Sequence, residues 1–330
     1  MIVGPELRAW TADIRLQRGT RTAADRVARE WTAGPVHHRF SEKMAGLPER
    51  RAETVARAVV ELFADDAWVD TLIGVLAEAM RRDSFFEPPF RHLDSDIHSG
   101  LIVFEDDNVS IAAGVSGVAH LAAKKSASRH ATSIAFSGQV GVLKFVKAGG
   151  ARLSFWEAPL ITDRFTAATA GRCRKTGFRA LADGEILTVD GRFQSFVIDR
   201  AETDLVILQA TVKPDQAPLS VEYDARTHEY VGCAAADDSA SRIQMIATLL
   251  RKLDGEGAFE AIAGFLGHPH FFVRWHLMRE LLGLDAEAAL PHLKRMAARD
   301  PHPETRRAAR SVLDRIEAPA RASGRRRKAA

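Results

Sequence analysis

The chain has 330 residues, of which 46% are hydrophobic and 27% are charged, and its formal net charge is +3. This length exceeds one average domain, and the composition is that of a globular protein, which excludes a disordered or fibrous chain. Five basic residues of the last ten carry the excess charge, so the rest is close to neutral and gives little support for a nucleic-acid surface.

Cysteine and hydropathy patterns narrow the class further. Cys173 and Cys233 are the only cysteines, which excludes a disulfide framework and a four-cysteine zinc site. No apolar run approaches the roughly 20 residues that a membrane-spanning helix needs. The first residues show no secretory signal pattern, so we expect a cytoplasmic protein without a membrane partner.

The first part of the chain, residues 1–85, is predicted to be helical. Apolar residues recur at helical spacing in three segments, residues 23–31, 48–63 and 67–82. The adjacent Pro88 and Pro89 then remove backbone donors and favour extended conformations, which predicts a domain boundary there.

Residues 86–235 are predicted to form an antiparallel β domain. Short β-like runs alternate with turn pairs such as Asp107-Asn108, Gly149-Gly150 and Asp183-Gly184, and no helical spacers lie between them. This pattern favours a sandwich or barrel. The predicted strands are 101–104, 109–119, 133–136, 140–146, 152–156, 165–170, 177–181, 186–189, 193–198, 205–212 and 219–223.

The segment 178–212 resembles the second half of a cupin jelly roll in the order of its strands and turns. The resemblance implies a metal held by paired histidines, a glutamate and a later histidine. No His-x-His occurs near 172–178, and the place of the later histidine reads Gln194-Ser195-Phe196. An amide is a poor substitute for imidazole on a transition metal, so we expect a cupin-like core without the usual metal site.

Residues 236–317 are predicted to form a second helical domain that contains an internal repeat. The stretch 267–274 (GHPHFFVR) is echoed by 299–306 (RDPHPETR), with Pro269 and Pro301 32 residues apart. A proline-containing turn before a helix that carries a Val-Arg-like pair resembles the HEAT repeat, over about 259–316. The resemblance implies a protein or peptide partner, with Arg274, Trp275 and Arg306 as candidate contacts. We expect 318–330 to be a disordered basic tail with at most weak nucleic-acid contacts.

Two groups of residues suggest chemistry. His92-Leu93-Asp94 has the spacing of two ligands of the iron facial triad, with His228 as a candidate third ligand and Arg242 for a cosubstrate carboxylate. The alternative interpretation is a polar loop that enters the first strand. Cys173 lies among basic residues that would lower its pKa, although an incidental cysteine in a basic loop is the competing interpretation.

The sequence therefore predicts an α+β multidomain protein with a helical N-terminal segment, an antiparallel jelly-roll or sandwich core and C-terminal HEAT-like repeats. The favoured function is an accessory or interaction protein that needs no cofactor and binds a partner through its HEAT-like helices. The alternative is a non-haem Fe(II)-dependent oxygenase built on His92 and Asp94. Whether the protein is an enzyme is left open by the sequence.

Overall fold

A computed structural model describes residues 4–94, 98–119 and 133–328. The chain divides into two compact units. Unit 1 comprises Met1–Ala158, Arg172–Gln216 and Glu222–Glu229, and unit 2 comprises Pro159–Gly171, Ala217–Val221 and Tyr230–Ala330. The helices and most strands that the sequence assigned to separate segments, 1–85 and 86–235, thus lie in one unit.

Unit 1 begins with five helices. They are α1 (Pro5–Ala12), α2 (Ile14–Thr32), α3 (Pro35–Ala45), α4 (Ala52–Ala64) and α5 (Ala67–Arg82). The predicted helix 67–82 is confirmed at both ends, and α2 extends the predicted 23–31. The proline and glycine around the starts of α1 and α3 masked these two helices in the sequence, although proline fits the first helical turn.

The described residues form twelve strands. They are β1 (Arg91–Asp94), β2 (His98–Glu105), β3 (Val109–Ser116), β4 (Ser133–Phe136), β5 (Val140–Lys147), β6 (Arg152–Glu157), β7 (Arg174–Ala180), β8 (Glu185–Asp190), β9 (Gln194–Arg200), β10 (Leu205–Val212), β11 (Leu219–Asp224) and β12 (Tyr230–Ala235). The prediction of a strand over 165–170 is wrong, because Thr166 and Thr169 hydrogen-bond to each other in a tight turn. The sequence patterns predict neither β1 nor β12.

Strands β3 to β10 pair in a nested order. Antiparallel ladders join β3 to β10, β5 to β8 and β6 to β7, and β4 lies beside β9, where Ser195 Oγ donates to the Ala135 carbonyl. Strand β10 also pairs with β5, and β6 with β9. One long hairpin folded over on itself gives this order, which is that of an eight-stranded jelly roll. The predicted jelly-roll core is therefore confirmed by its strand pairing.

The large sheet has the order β1-β2-β3-β10-β5-β8, and its central strands β10 and β5 are covered on both faces. Alternate residues of β10 point to opposite faces, so Leu205 and Ile207 pack inside the jelly roll while Leu208 and Ala210 pack against the N-terminal helices. On the helical side, the buried Lys144 ammonium donates to the Phe63 carbonyl at 2.7 Å. The helices are therefore a structural cover of this sheet.

Unit 2 contains the remaining helices, α6 (Asp238–Leu253), α7 (Ala258–Ala263), α8 (Phe271–Leu284), α9 (Ala286–Arg299) and α10 (Pro303–Lys328). The backbone of α10 is helical to Lys328, and the disordered basic tail expected over 318–330 stays a prediction. None of the described helices is long and apolar enough to cross a membrane.

These elements confirm the predicted fold class: N-terminal helices, an antiparallel β core and C-terminal helices.

Candidate functional site

Three helices of unit 2 occupy equivalent places in a repeat of 32 residues. Near its start, each of α6, α8 and α10 carries an arginine, and Arg242, Arg274 and Arg306 follow one another at that spacing. Helix α8 packs against both α6 and α10, and α7 and α9 connect them. The environment of each repeat position can therefore be compared from helix to helix.

Arg274 joins two successive repeats. Its Nε and Nη2 each donate to a carboxylate oxygen of Asp300 at 2.8 Å, and its Nη1 donates to the carbonyls of His268 and Pro269 at 2.8 and 2.7 Å. Both side chains of the pair are buried. The predicted partner contact through Arg274 does not fit this environment, because its donors are already used inside the unit.

Trp275 is half-buried and packs against an apolar cluster that contains Met278 of its own helix and Ala309 of α10. This placement agrees with the spacing of Trp275 and Phe271 on one face of α8 and makes Trp275 part of the interface between repeats. A partner would have to compete with the packing of α10 to reach it.

Arg306 reproduces only half of the Arg274 arrangement. Its Nη1 donates to the carbonyls of Asp300 and Pro301, at 2.6 and 3.0 Å, exactly one repeat after the corresponding bonds of Arg274. Within the described residues, no carboxylate lies against its Nε and Nη2, the edge that Arg274 presents to Asp300. Arg306 is half-buried and lines a groove of about 670 Å³ on α10.

Four apolar side chains form an exposed stripe along α6, which we call the α6 stripe. Met245, Ile246, Leu249 and Leu253 are 72%, 56%, 54% and 68% exposed. They follow one another at helical spacing, so they share one face of the helix. The first three line a shallow groove of about 680 Å³ that also contains Lys252 and His276.

The repeat explains why this stripe is apolar. Met245, Ile246 and Leu249 correspond to Leu277, Met278 and Leu281 of α8, which are at most 1% exposed. Leu277 and Leu281 belong to one core cluster with Ala240 and Ala247 of α6 and with Ile262 of α7. Met245 and Leu249 thus hold positions at which a repeat packs on the repeat before it, whereas Met278, the counterpart of Ile246, packs with residues of α9 and α10.

A polar network fixes α6 to α8 beneath the stripe. Thr248 Oγ1 lies 2.9 Å from His276 Nε2 and donates to Glu280 at 3.0 Å, and Glu280 also pairs with Arg251. Burial alone acts to raise the pKa of Glu280, but the hydrogen bonds from Arg251 and Thr248 outweigh it and lower the pKa. Burial lowers the pKa of His276. The network gives α6 a fixed orientation on α8.

Helical spacing places Ile243, Ile246, Ala247 and Leu250 on one apolar face of α6, and this pattern does not reveal the stripe. The structure buries Ala247 and packs Ile243 and Leu250 beside it, but leaves Ile246 exposed. The number of apolar residues in α6 could have predicted the stripe. Helix α6 carries apolar residues on two faces, and a neighbouring helix covers one of these faces.

The predicted iron ligands His92 and Asp94 lie on β1, and His228 lies on another part of the chain. His92 is exposed on β1, an edge strand, and the backbone of Asp94 pairs with Ser99 on the same strand pair. His228 lies in the turn before β12 with its ring centroid 5.1 Å from that of Trp156. Arg242 is exposed on α6 in the other unit. Among the described residues, no three His, Cys, Asp or Glu side chains form a group that could hold a metal ion. The Fe(II) site remains a prediction.

The jelly-roll interior and Cys173 offer no chemistry of the predicted kind. Leu143, Phe145 and Leu153 fill the space between the two sheets in an apolar cluster. Cys173 is buried, and burial raises the pKa of its thiol, which corrects the expectation that its basic neighbours lower it.

Comparison with known proteins bears on unit 2. Residues 232–314, about a quarter of the chain, match the family model described as HEAT repeats. No curated protein matches the chain. The solved structures that match include the ectoine synthase of P. lautus, which is 11% identical over 37% of this chain and 69% of that chain, with a TM-score of 0.21. A likeness this low carries no argument about fold or function, so the jelly roll rests on strand pairing alone.

Proposed function

We propose that this chain is an interaction protein whose HEAT-like unit binds an amphipathic helix of a partner protein along the α6 stripe. The observation that carries the proposal is the exposure of Met245, Ile246 and Leu249 at repeat positions that are buried in α8. HEAT arrays serve chiefly as binding surfaces, and an end of such an array normally needs a polar outer face. Burying the four stripe side chains contributes about 5 kcal/mol before the costs of association.

The next repeat indicates the shape of the occupant. Leu277 and Leu281, the α8 counterparts of Met245 and Leu249, are covered by an α6 face that carries Ala240, Ile243, Ala247 and Leu250. A partner helix with small and branched apolar residues at the same spacing would cover the α6 stripe in the same way.

The charged residues beside the stripe indicate which side chains should flank the apolar face of the partner helix. Arg242, one turn before Ile246, is exposed, and Lys252 lines the groove. No acidic side chain lines the groove in the described part of the chain. Acidic residues beside the apolar face of the partner helix would therefore favour binding.

A second copy that stacks end to end is a poorer occupant. The face of α10 that would meet the stripe corresponds to the covering face of α6 and carries Glu304, Arg307, Ser311 and Asp314. Three of these side chains are exposed and the fourth is half-buried. A polar face of this kind is typical of a capping helix and does not match an apolar stripe.

The test uses the full chain and a synthetic peptide. The peptide has the sequence of residues 237–254, a lactam staple to hold it helical, glutamate at the four stripe positions and a fluorescent label. We expect saturable binding in fluorescence anisotropy, weakened at least about tenfold by Leu249→Asp, the ratio that 1.4 kcal/mol produces. Ile73→Asp, at an equally exposed apolar residue of α5, is the matched control and leaves binding unchanged.

Three results would contradict the proposal. One is the absence of binding, and another is equal binding by wild type and Leu249→Asp. The third is concentration-dependent dimerisation in light scattering that Leu249→Asp abolishes, which would make a second copy the occupant. A peptide with aspartate in place of Ile243 and Leu250 controls for binding through its charge alone.

A further inference from the structure

We infer that Arg306 forms a second binding site, which takes an aspartate carboxylate of a partner peptide. This site lies on α10, whereas the proposed function concerns α6, so the two proposals rest on different observations. The repeat itself identifies the ligand, because Arg274 shows what its equivalent position binds.

The geometry of the first arginine defines the recognition. Arg274 orients its guanidinium with two bonds from Nη1 to backbone carbonyls, and its Nε and Nη2 then meet Asp300 in a bidentate pair. Only a planar acceptor with two oxygens completes that arrangement, and arginine and carboxylate geometries match in this way.

Arg306 is oriented in the same way without its acceptor. Its Nη1 bonds to the carbonyls of Asp300 and Pro301 fix the guanidinium as in Arg274. Because the orientation is already set, a ligand that binds Nε and Nη2 gains two charge-assisted bonds with little further loss of side-chain entropy.

The surroundings of Arg306 favour an anion. Arg307, Arg310 and Arg315 line the same groove, against one acidic side chain, Asp314. Neither Asp314 nor any other described carboxylate lies within ion-pair distance of Arg306. The groove therefore has a net positive charge and attracts an acidic segment.

The ligand segment is also defined by the repeat. Asp300 precedes Pro301, and its Oδ1 accepts from the backbone nitrogen of His302 at 2.8 Å, just before α10 begins. A partner that presents Asp-Pro at the start of a helix would offer the same carboxylate orientation. We therefore propose an Asp-Pro helix start as the ligand.

The experiment measures binding of a labelled peptide to the full chain by anisotropy. The peptide has the sequence of residues 297–314 with alanine at positions 306, 307 and 310, so that it is acidic overall. We expect binding that falls at least about tenfold when the peptide carries asparagine in place of Asp300. Arg306→Gln should lower affinity to the same extent. Arg306→Lys should not restore it, because lysine lacks the two parallel donors. Arg295→Gln, at an exposed arginine of α9 outside the groove, is the matched control.

The outcomes separate this site from its competitors. Equal binding of the aspartate and asparagine peptides, or peptide affinity of Arg306→Lys equal to that of the wild type, would overturn bidentate carboxylate recognition. Tighter binding of an oligothymidylate that is lost in Arg306→Gln would assign the groove to phosphate instead and also overturn the proposal. Loss of binding in Leu249→Asp is not expected, so failure here leaves the α6 proposal standing.

Discussion

Leu249 and Leu281 hold the same position of the repeat, yet Leu249 of α6 is 54% exposed and Leu281 of α8 is fully buried. Arg306 and Arg274 differ in the same way, since among the described residues Arg274 meets a carboxylate and Arg306 does not. The middle helix α8 shows the complete set of contacts, and each flanking helix lacks one part of it. Comparing equivalent positions therefore shows which contacts α6 and α10 leave unmade.

The largest expected effect breaks the complete arginine contact. Asp300→Ala leaves the Arg274 guanidinium buried without its counter-ion, which should cost about 3–5 kcal/mol. Hydrogen exchange of the α8 amides measures this loss as a lower opening free energy. Arg306→Gln, in the incomplete contact, should change the same amides by less than about 1 kcal/mol. Equal effects of the two substitutions would refute the distinction between middle and end.

The apolar contact gives the next largest effect. Leu281→Ala removes a fully buried side chain and should destabilise unit 2 by about 2–5 kcal/mol. Leu249→Ala at the equivalent exposed position should stay within about 0.5 kcal/mol. Urea denaturation, followed by hydrogen exchange of unit 2 peptides, compares the stability of the two variants. A large loss of stability in Leu249→Ala would show that the stripe is already covered in solution.

A smaller effect concerns pH. Burial is the largest cause of the lowered pKa of His268, His270, His276 and His302. The folded unit therefore favours the neutral rings, and the unfolded chain takes up protons first as pH falls below 6.5. Stability is fully present above that pH and is lost on acidification toward the lower folded values.

His302 is the residue with which to sharpen this prediction. Its ring stacks on Phe271 at a centroid distance of 3.7 Å, and neither ring nitrogen makes a hydrogen bond of normal geometry with a described residue. His302→Phe should keep the stacking and reduce the fall in melting temperature between pH 7.5 and 5. An unchanged pH dependence would mean that the other three histidines carry the effect. Exposed His92, changed to Gln, is the control.

The smallest expected effect lies outside the array. His92→Ala should leave the metal content of protein purified without chelators unchanged, because His92 stands exposed on an edge strand. Elemental analysis of both proteins measures it. Stoichiometric iron in the wild type that is lost in His92→Ala would instead favour the oxygenase alternative.

Local patterns in the sequence were sufficient to predict secondary-structure elements but not the contacts that each element makes. The helix over 67–82 and the repeat at Pro269 and Pro301 follow from spacing alone, and both are present. Arg242, Arg274 and Arg306 were each singled out, but as a cosubstrate ligand and two partner contacts. Their common place in the repeat emerges only when hydrogen bonds reveal what each guanidinium meets.

The α6 stripe could not be assigned from the sequence for a related reason. Ile246 and Ala247 are adjacent and both apolar, and periodicity does not tell which one faces α8. The prediction of a strand over 165–170 was wrong because Thr166 and Thr169 satisfy their polar groups within a turn. The β propensity of threonine does not indicate this turn.

The nested strand order also determines when the large sheet can form during translation. Val109 of β3 pairs with Val212 of β10, so the large sheet cannot close until both have left the ribosome. At about 5–20 residues per second, that interval is on the order of 5–20 s. Until then, the apolar face of α4 lacks the β5 and β10 residues that cover it. The nascent N-terminal helices therefore expose an apolar surface for seconds, to which a chaperone can bind.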